Sequence, residues 1–230
     1  GNIAAEIALE TPGIDSLDIL YLADTSTSVA STKSFLRMCT KPQFFLEHNE
    51  LVMWPYATSY DVKSPDQHRL FKALPWSGGG EPLWYRDDPR VTNCVTLVGF
   101  KNQVMFGAVL SVLEQFERDY RQLSDAEQEE VTNRLGGEIT SDEPDREIPA
   151  RNRSVISCIG RGDMAGVTVT LRGNSPYLQT GSLAAEACRR ILNGQLLATG
   201  FSSPAKAIGA RAILNAWSER GYHSWEAHRS

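Results

Sequence analysis

Apolar and polar positions recur along this chain in two periods, and the changes of period divide it into elements. Asn2 to Glu10 sets Ile3, Ala4, Ile7 and Ala8 on one helical side, and Thr11-Pro12-Gly13 ends the run, which predicts a short helix. Leu17 to Leu22, bounded by the turn formers Asp15-Ser16 and Asp24-Thr25-Ser26, reads as a strand. Val29, Phe35, Leu36 and Cys39 follow at near-helical spacing ahead of Lys41-Pro42 and predict a helix over 28–39. Leu51 to Trp54 reads as a strand, and two more short strands are expected near 57–62 and 69–74, where the pattern weakens. Cys94 to Phe100, apolar and β-branched, is a strong strand. The longest helix follows over 103–122, with Val109, Val112 or Leu113, Phe116, Tyr120 and Leu123 marking one face. Ser124 and Glu127 have the spacing of a capping box and open a helix that runs to Leu135, with Gly136-Gly137 as its terminator.

The stretch 138–153 is acidic, arginine-rich and poor in apolar residues, and reads as an exposed loop within one domain. Ser154 to Ile159 and Val167 to Arg172 form a predicted hairpin about a glycine-rich turn. Two helices end the pattern, over 177–192 and 204–220, each opened by Ser-Pro (Ser175-Pro176 and Ser203-Pro204). Serine caps free N–H groups there, and proline fits the first turn. Asn193-Gly194 and Gly221 supply their ends. Some six or seven strands with helices between them give an α+β or mixed α/β domain over 1–230, with a central mixed or antiparallel sheet layered with helices.

Composition narrows the function classes. The chain has 230 residues, 41% of them hydrophobic and 22% charged, which is enough for a core without metals or disulfides. A net charge of -5 argues against nucleic acid as a partner. There is no apolar run long enough for a membrane span. Cys39, Cys94, Cys158 and Cys188 lack zinc-site spacing and read as buried reduced thiols of a cytoplasmic protein. The chain opens without methionine or a leader, as if entered from the middle of a longer protein.

Motifs of familiar chemistry fail on context. Gly160-x-Gly162-x-x-Ala165 mimics a dinucleotide fingerprint but is followed by β-patterned Val167 to Leu171, with no helix N-terminus to receive a pyrophosphate. Ser77-Gly78-Gly79-Gly80-Glu81 lacks the lysine of a phosphate loop and reads as a flexible connection. His48, His68, His223 and His228 show no metal-ligand spacing, which leaves surface or packing roles, and no Gly-x-Ser-x-Gly elbow is present.

The run from Gly173 to Tyr222 begins Tyr177-Leu178-x-Thr180, reaches Leu192-x-Gly194, and continues Thr199-Gly200-x-x-x-Pro204-Ala205. It resembles the C-terminal region of saccharopine dehydrogenase-like reductases. In that family a nucleotide-binding Rossmann domain precedes an α+β domain, and the last helices return to pack on the first. The resemblance therefore implies a substrate-binding and dimerisation domain cut away from its NAD(P) domain. It implies a small-molecule substrate, a homodimer, and no cofactor bound by this chain. A stand-alone binding or interaction module without catalytic activity is the alternative.

Two groups of residues are candidates for ligand contact. Trp54, Tyr56, Tyr60, Asp61, Lys63, Trp76, Trp84 and Tyr85 combine aromatic walls with polar handles, the materials of a substrate pocket, and serve equally to cover a sheet edge or build a dimer interface. Tyr177 and Thr180, with Ser202 and Ser203, form the second group, placed by the resemblance toward the cleft shared with the nucleotide domain. Capping and core packing account for these residues as well.

Overall fold

The computed structural model describes residues 1–65, 70–145, 147–148 and 150–230, so His68 lies outside the described residues. Among the described residues the fold is mixed α/β, with eight helices and a nine-stranded mixed sheet. The chain runs α1 (Asn2–Ala8), β1 (Ser16–Asp24), α2 (Val29–Cys39), β2 (Phe44–Glu47), β3 (Glu50–Met53), β4 (Tyr60–Lys63) and β5 (Leu70–Pro75). After a single 3-10 turn at Ser77–Gly79 come α3 (Glu81–Tyr85), β6 (Asn93–Phe100), α4 (Gln103–Asp119) and α5 (Asp125–Ile139). The remainder is β7 (Arg153–Arg161), β8 (Gly166–Asn174), α6 (Pro176–Leu192), α7 (Pro204–Ile208), α8 (Ala210–Glu219) and β9 (His223–Arg229).

The main strand order is β3-β2-β6-β1-β7-β8-β9, and β5 joins β6 beyond β2 while pairing with β4. β1 lies parallel to β6, with Ile19 opposite Thr96, and antiparallel to β7, with Ile19 opposite Cys158. Side chains alternate across each strand, so the register fixes which residues share a face. Leu17 and Ile19, Cys94, Cys158, and Val167, Val169 and Leu171 form one apolar cluster with α1, α7 and α8. Val98 and Phe100 form a second with α2, α4 and α5, and Tyr21 packs against both. The alternate positions carry Asp18, Arg172 and Glu226, and ion pairs Arg161–Asp18 (2.8 Å) and Arg172–Glu226 (2.7 Å) decorate that opposite face. No helix among the described residues is long and apolar enough to cross a membrane.

The strongest local signals appear in place. Ser28, Ser124, Ser175 and Ser203 each cap a helix with the side-chain oxygen, and Ser124 with Glu127 completes the capping box. There Oγ of Ser124 accepts from the Glu127 amide at 3.4 Å, and Oε2 of Glu127 accepts from the Ser124 amide at 2.9 Å. Ser124→Ala should therefore cost about 1 kcal/mol, read as a lower urea midpoint at unchanged slope. An unchanged midpoint would show that the box contributes nothing.

Several expectations require correction. Nine strands replace six or seven: the expected list omits β2, and β9 makes the C-terminal tail a sheet edge paired with β8 from Gly173–His223 to Val167–Arg229. Gly136-Gly137 does not end α5. The helix runs on to Ile139, because a Cβ on Gly136 would come within 2.9 Å of Cα of Lys33, and the glycine lets α2 and α5 approach. The single helix expected over 204–220 breaks at Gly209 (φ +97°, ψ 125°) into α7 and α8. Ser77 to Glu81 is no flexible connection, since it forms the 3-10 turn and the start of α3, with Glu81 buried. Cys39, Cys94 and Cys158 are buried free thiols, whereas Cys188 is exposed on α6. Burial pushes all three buried thiols up, so they stay protonated. The glycines of the fingerprint mimic serve packing, as a Cβ on Gly162 would sit 1.7 Å from the carbonyl oxygen of Gly13.

Candidate functional site

A cavity of about 650 Å³ opens where the two apolar clusters meet at Tyr21. Its size falls within the range of small-molecule sites, roughly 300–1,000 Å³. The sheet supplies one wall through Tyr21, Val98, Phe100, Ile156 and Leu171. Helix α2 gives a second wall with Ala30, Ser34, Phe35 and Met38, and α6 a third with Tyr177, Thr180 and Leu183. Trp76, Trp84 and Trp217 complete the aromatic lining. At the rim the Ser28 amide donates to the Tyr177 hydroxyl at 3.0 Å, joining the starts of α2 and α6.

Both helices are placed by identifiable contacts. α2 buries Thr32, Leu36 and Cys39, and its opposite side faces the cavity. α6 is anchored through polar groups, and Gln179 and Glu186 are its buried residues. The Gln179 amide donates to the Ser154 hydroxyl and to the Asn174 carbonyl at 2.5 Å. Glu186 pairs with Arg189 (2.7 Å), Arg190 (2.8 Å) and Arg220 (3.3 Å), which ties α6 to the end of α8 and holds its carboxyl down at about 2. Leu178, Gly181, Ala185, Cys188 and Leu192 form an exposed stripe on the side away from Gln179, Leu183, Glu186 and Ala187, at alternating spacings of three and four, Leu192 being 86% exposed. That spacing places one helix face, apolar or small throughout, toward solvent.

The chemistry of the cavity centres on Glu81, which is 1% exposed and the single acidic side chain of the lining. Its Oε1 accepts from the Asn2 amide at 3.1 Å and from the Tyr21 hydroxyl, and lies 3.6 Å from the amino group of Gly1. Its Oε2 has no hydrogen-bond partner among the described residues. Burial, then the Glu81 charge, raises the Tyr21 phenol well above its ordinary value, so it stays protonated and donates. Behind Glu81 a polar relay continues. Asn2 Nδ2 donates to Tyr85 Oη (3.0 Å), and Tyr85 donates to Glu6 (3.0 Å), which Arg90 meets at 3.1 Å. Asn2 Oδ1 also accepts from the Ala205 amide at 3.2 Å, fixing α7 to α1.

Among the described residues the lining contains no histidine, lysine, arginine or cysteine side chain. No basic side chain is therefore on hand for a phosphate, and the cation of the described lining is the Gly1 amino group, which already faces Glu81 at 3.6 Å. Among the described residues no cluster of three His, Cys, Asp or Glu side chains could hold a metal ion.

The structure divides the sequence candidates. Trp84, Tyr177 and Thr180 reach the main cavity, as does Trp76, while Tyr85 is buried behind it in the relay. Trp54 and Tyr56 line a separate cavity of about 290 Å³. There Tyr56 donates to the Leu113 carbonyl at 3.2 Å under the Arg121 guanidinium, and burial pushes its phenol up to about 12. Tyr60, Asp61 and Lys63 lie on β4 and line neither cavity: Tyr60 packs on Trp54, Asp61 pairs with Lys72 at 2.9 Å, and Lys63 is exposed. Ser202 is half-buried outside the cavity, and Ser203 caps α7. Glu81, Tyr21 and Trp217 escape the sequence reading. For Glu81 a signal exists, since glutamate followed by proline after a glycine run marks a helix start.

A family model described as a family of unknown function (DUF5938) matches residues 1–224. No curated protein matches the chain.

Proposed function

We propose, from the premise that this chain belongs to the DUF5938 family, that it is the substrate-binding and dimerisation domain of a saccharopine dehydrogenase-like NAD(P)-dependent oxidoreductase. The observation that carries this reading is the orphaned face of α6. The helix lies in the segment that bears the resemblance, buries polar anchors, and turns Leu178, Ala185, Cys188 and Leu192 to solvent. Exposed apolar surface of that kind suits a neighbour. In this reading the neighbour is a nucleotide-binding domain, and the protein is a cytoplasmic homodimer. The cavity beside α6 is the substrate pocket.

The residues present do not fit the dinucleotide itself. The described lining has no lysine, arginine or histidine for a pyrophosphate, its Gly1 amino group faces Glu81, and the turn after β7 leads into a strand. Hydride transfer is accordingly assigned to the other domain, while Tyr21, Glu81 and the aromatic walls orient the substrate. The protein at its natural full length should carry a strand–Gly-x-Gly-x-x-Gly–helix unit and bind NADH or NADPH at micromolar concentrations. The 230-residue chain should bind neither. Fluorescence titration of both proteins decides it, and a natural-length protein without that unit or that binding overturns the reading.

A further inference from the structure

We propose that the 650 Å³ cavity binds an elongated apolar molecule carrying one hydrogen-bond-donating head group, a hydroxyl or an amine, which is received by Glu81. The inference rests on reading the cavity as the substrate pocket and names the class of molecule it takes.

Three observations converge on it. First, the walls are apolar and aromatic along their length: Phe35, Phe100, Ile156, Leu183 and three tryptophans line a volume that suits a chain or ring system rather than a sugar or nucleotide. Second, Glu81 is the single acidic side chain of the described lining, which offers no lysine, arginine or histidine, and the cation near it is the Gly1 amino group at 3.6 Å from Oε1. A carboxylate or phosphate head group would bring a second anion to a carboxylate already paired with that amine, which disfavours it. Third, Glu81 is saturated on one oxygen only. Oε1 receives the Asn2 amide and the Tyr21 phenol, while Oε2 is buried without a donor among the described residues. A buried acceptor left without a donor costs free energy that an incoming O–H or N–H group recovers. Tyr21 and Asn2 hold the carboxylate at the cavity wall, so the receiving group is preorganised by its own hydrogen bonds.

The outer parts of the cavity agree. Thr27, Ser31 and Ser34 supply neutral hydroxyls on the α2 side, while the Thr25 hydroxyl donates to Glu147. These tolerate a polar tail end without selecting a charge.

The test uses the 230-residue chain and three probes of equal chain length, decan-1-ol, decylamine and decanoate, each kept below its aggregation concentration. Because Trp76, Trp84 and Trp217 line the cavity, intrinsic tryptophan fluorescence reports occupancy, with calorimetry as a check. Decanol and decylamine should bind saturably, and decanoate should bind at least about tenfold more weakly. Glu81→Gln should bring the decylamine-to-decanoate ratio close to one. Ala30→Trp, a change at an exposed rim position of α2, should weaken all saturable binding at least about tenfold without touching the core.

Decanoate binding as tightly as decylamine, no saturable binding of any probe, or full affinity in Ala30→Trp would each overturn the proposal. Should Glu81→Gln fail to fold, the head-group ratio in the unmutated chain and the Ala30→Trp block decide the matter. Failure here is distinct from failure of the reductase reading. The latter is read from dinucleotide binding to the natural-length protein, which the decyl probes do not touch.

Discussion

Trp217→Ala should destabilise the chain by about 3–5 kcal/mol, the range found when a large buried aromatic is truncated. Trp217 is 4% exposed near the end of α8 and belongs to the apolar cluster that joins α1, α7 and α8 to the sheet. Its ring stacks on His223 of β9 with centroids 4.4 Å apart and planes 16° apart, so it also clamps the edge strand. The indole Nε1 has no hydrogen-bond partner among the described residues. Removing the ring therefore orphans no acceptor, and the loss is one of burial and packing. Collapse cannot recover much of it, because Trp217 already borders the 650 Å³ cavity and the new void would merge with it. Urea unfolding at neutral pH measures the effect as a fall in midpoint at nearly constant slope. A loss below about 1 kcal/mol would mean that Trp217 is not part of the core.

Between pH 7 and pH 4 the chain should lose about 3 kcal/mol of stability through one residue, His223. The imidazole is 6% exposed, and neither ring nitrogen has a hydrogen-bond partner among the described residues. It lies over Gly173, where a Cβ would come within 2.4 Å of Nε2. Burial first, and the Arg153 charge second, hold its pKa down at about 4 against an ordinary value of 6.5. In that interval the unfolded chain takes up the proton before the folded chain does. The stability that goes with the neutral ring is therefore complete above about pH 6.5 and lost as the pH falls toward 4.

Glu186 works in a lower window. Its carboxyl is held at about 2 by Arg189 first, so its contribution stands above pH 4.5 and is lost only toward pH 2. His223→Phe keeps the stack on Trp217 and removes the titrating ring. The variant should show a flat midpoint from pH 7 to pH 5 in urea unfolding. A variant that falls in parallel with the unmutated chain would assign the acid sensitivity to other groups.

Elements with a start signal in their own residues were legible in advance. The Ser-Pro openings of α6 and α7, the Ser124–Glu127 box and the β-branched run of β6 each depend on hydrogen bonds or side-chain shapes within a few residues. Strand β9 was not. Its sequence, His223 to Arg229, alternates weakly, and it becomes a strand because β8 presents a free edge to it. Part of the site was legible for the same local reasons. Tyr177 and Thr180 follow a marked helix start and do reach the cavity, whereas Tyr60, Asp61 and Lys63 share an aromatic-rich stretch with Trp84 and are carried away on β4.

Glycine shows most plainly how much the sequence settled alone. It determined where glycines stand, which helices begin at a serine, and that apolar strands alternate with amphipathic helices around one sheet. It did not determine that Gly136 continues a helix while Gly209 breaks one, since the first is decided by Lys33 of α2 lying against it and the second by a backbone turned to φ +97° between α7 and α8. The cavity belongs with these. Glu81, Tyr21, Ala30, Tyr177 and Trp217 are separated by up to 196 positions in the chain, and only sheet register and helix packing bring them to one volume. Local periodicity carries information across a few residues, and a site assembled from five elements lies beyond that range.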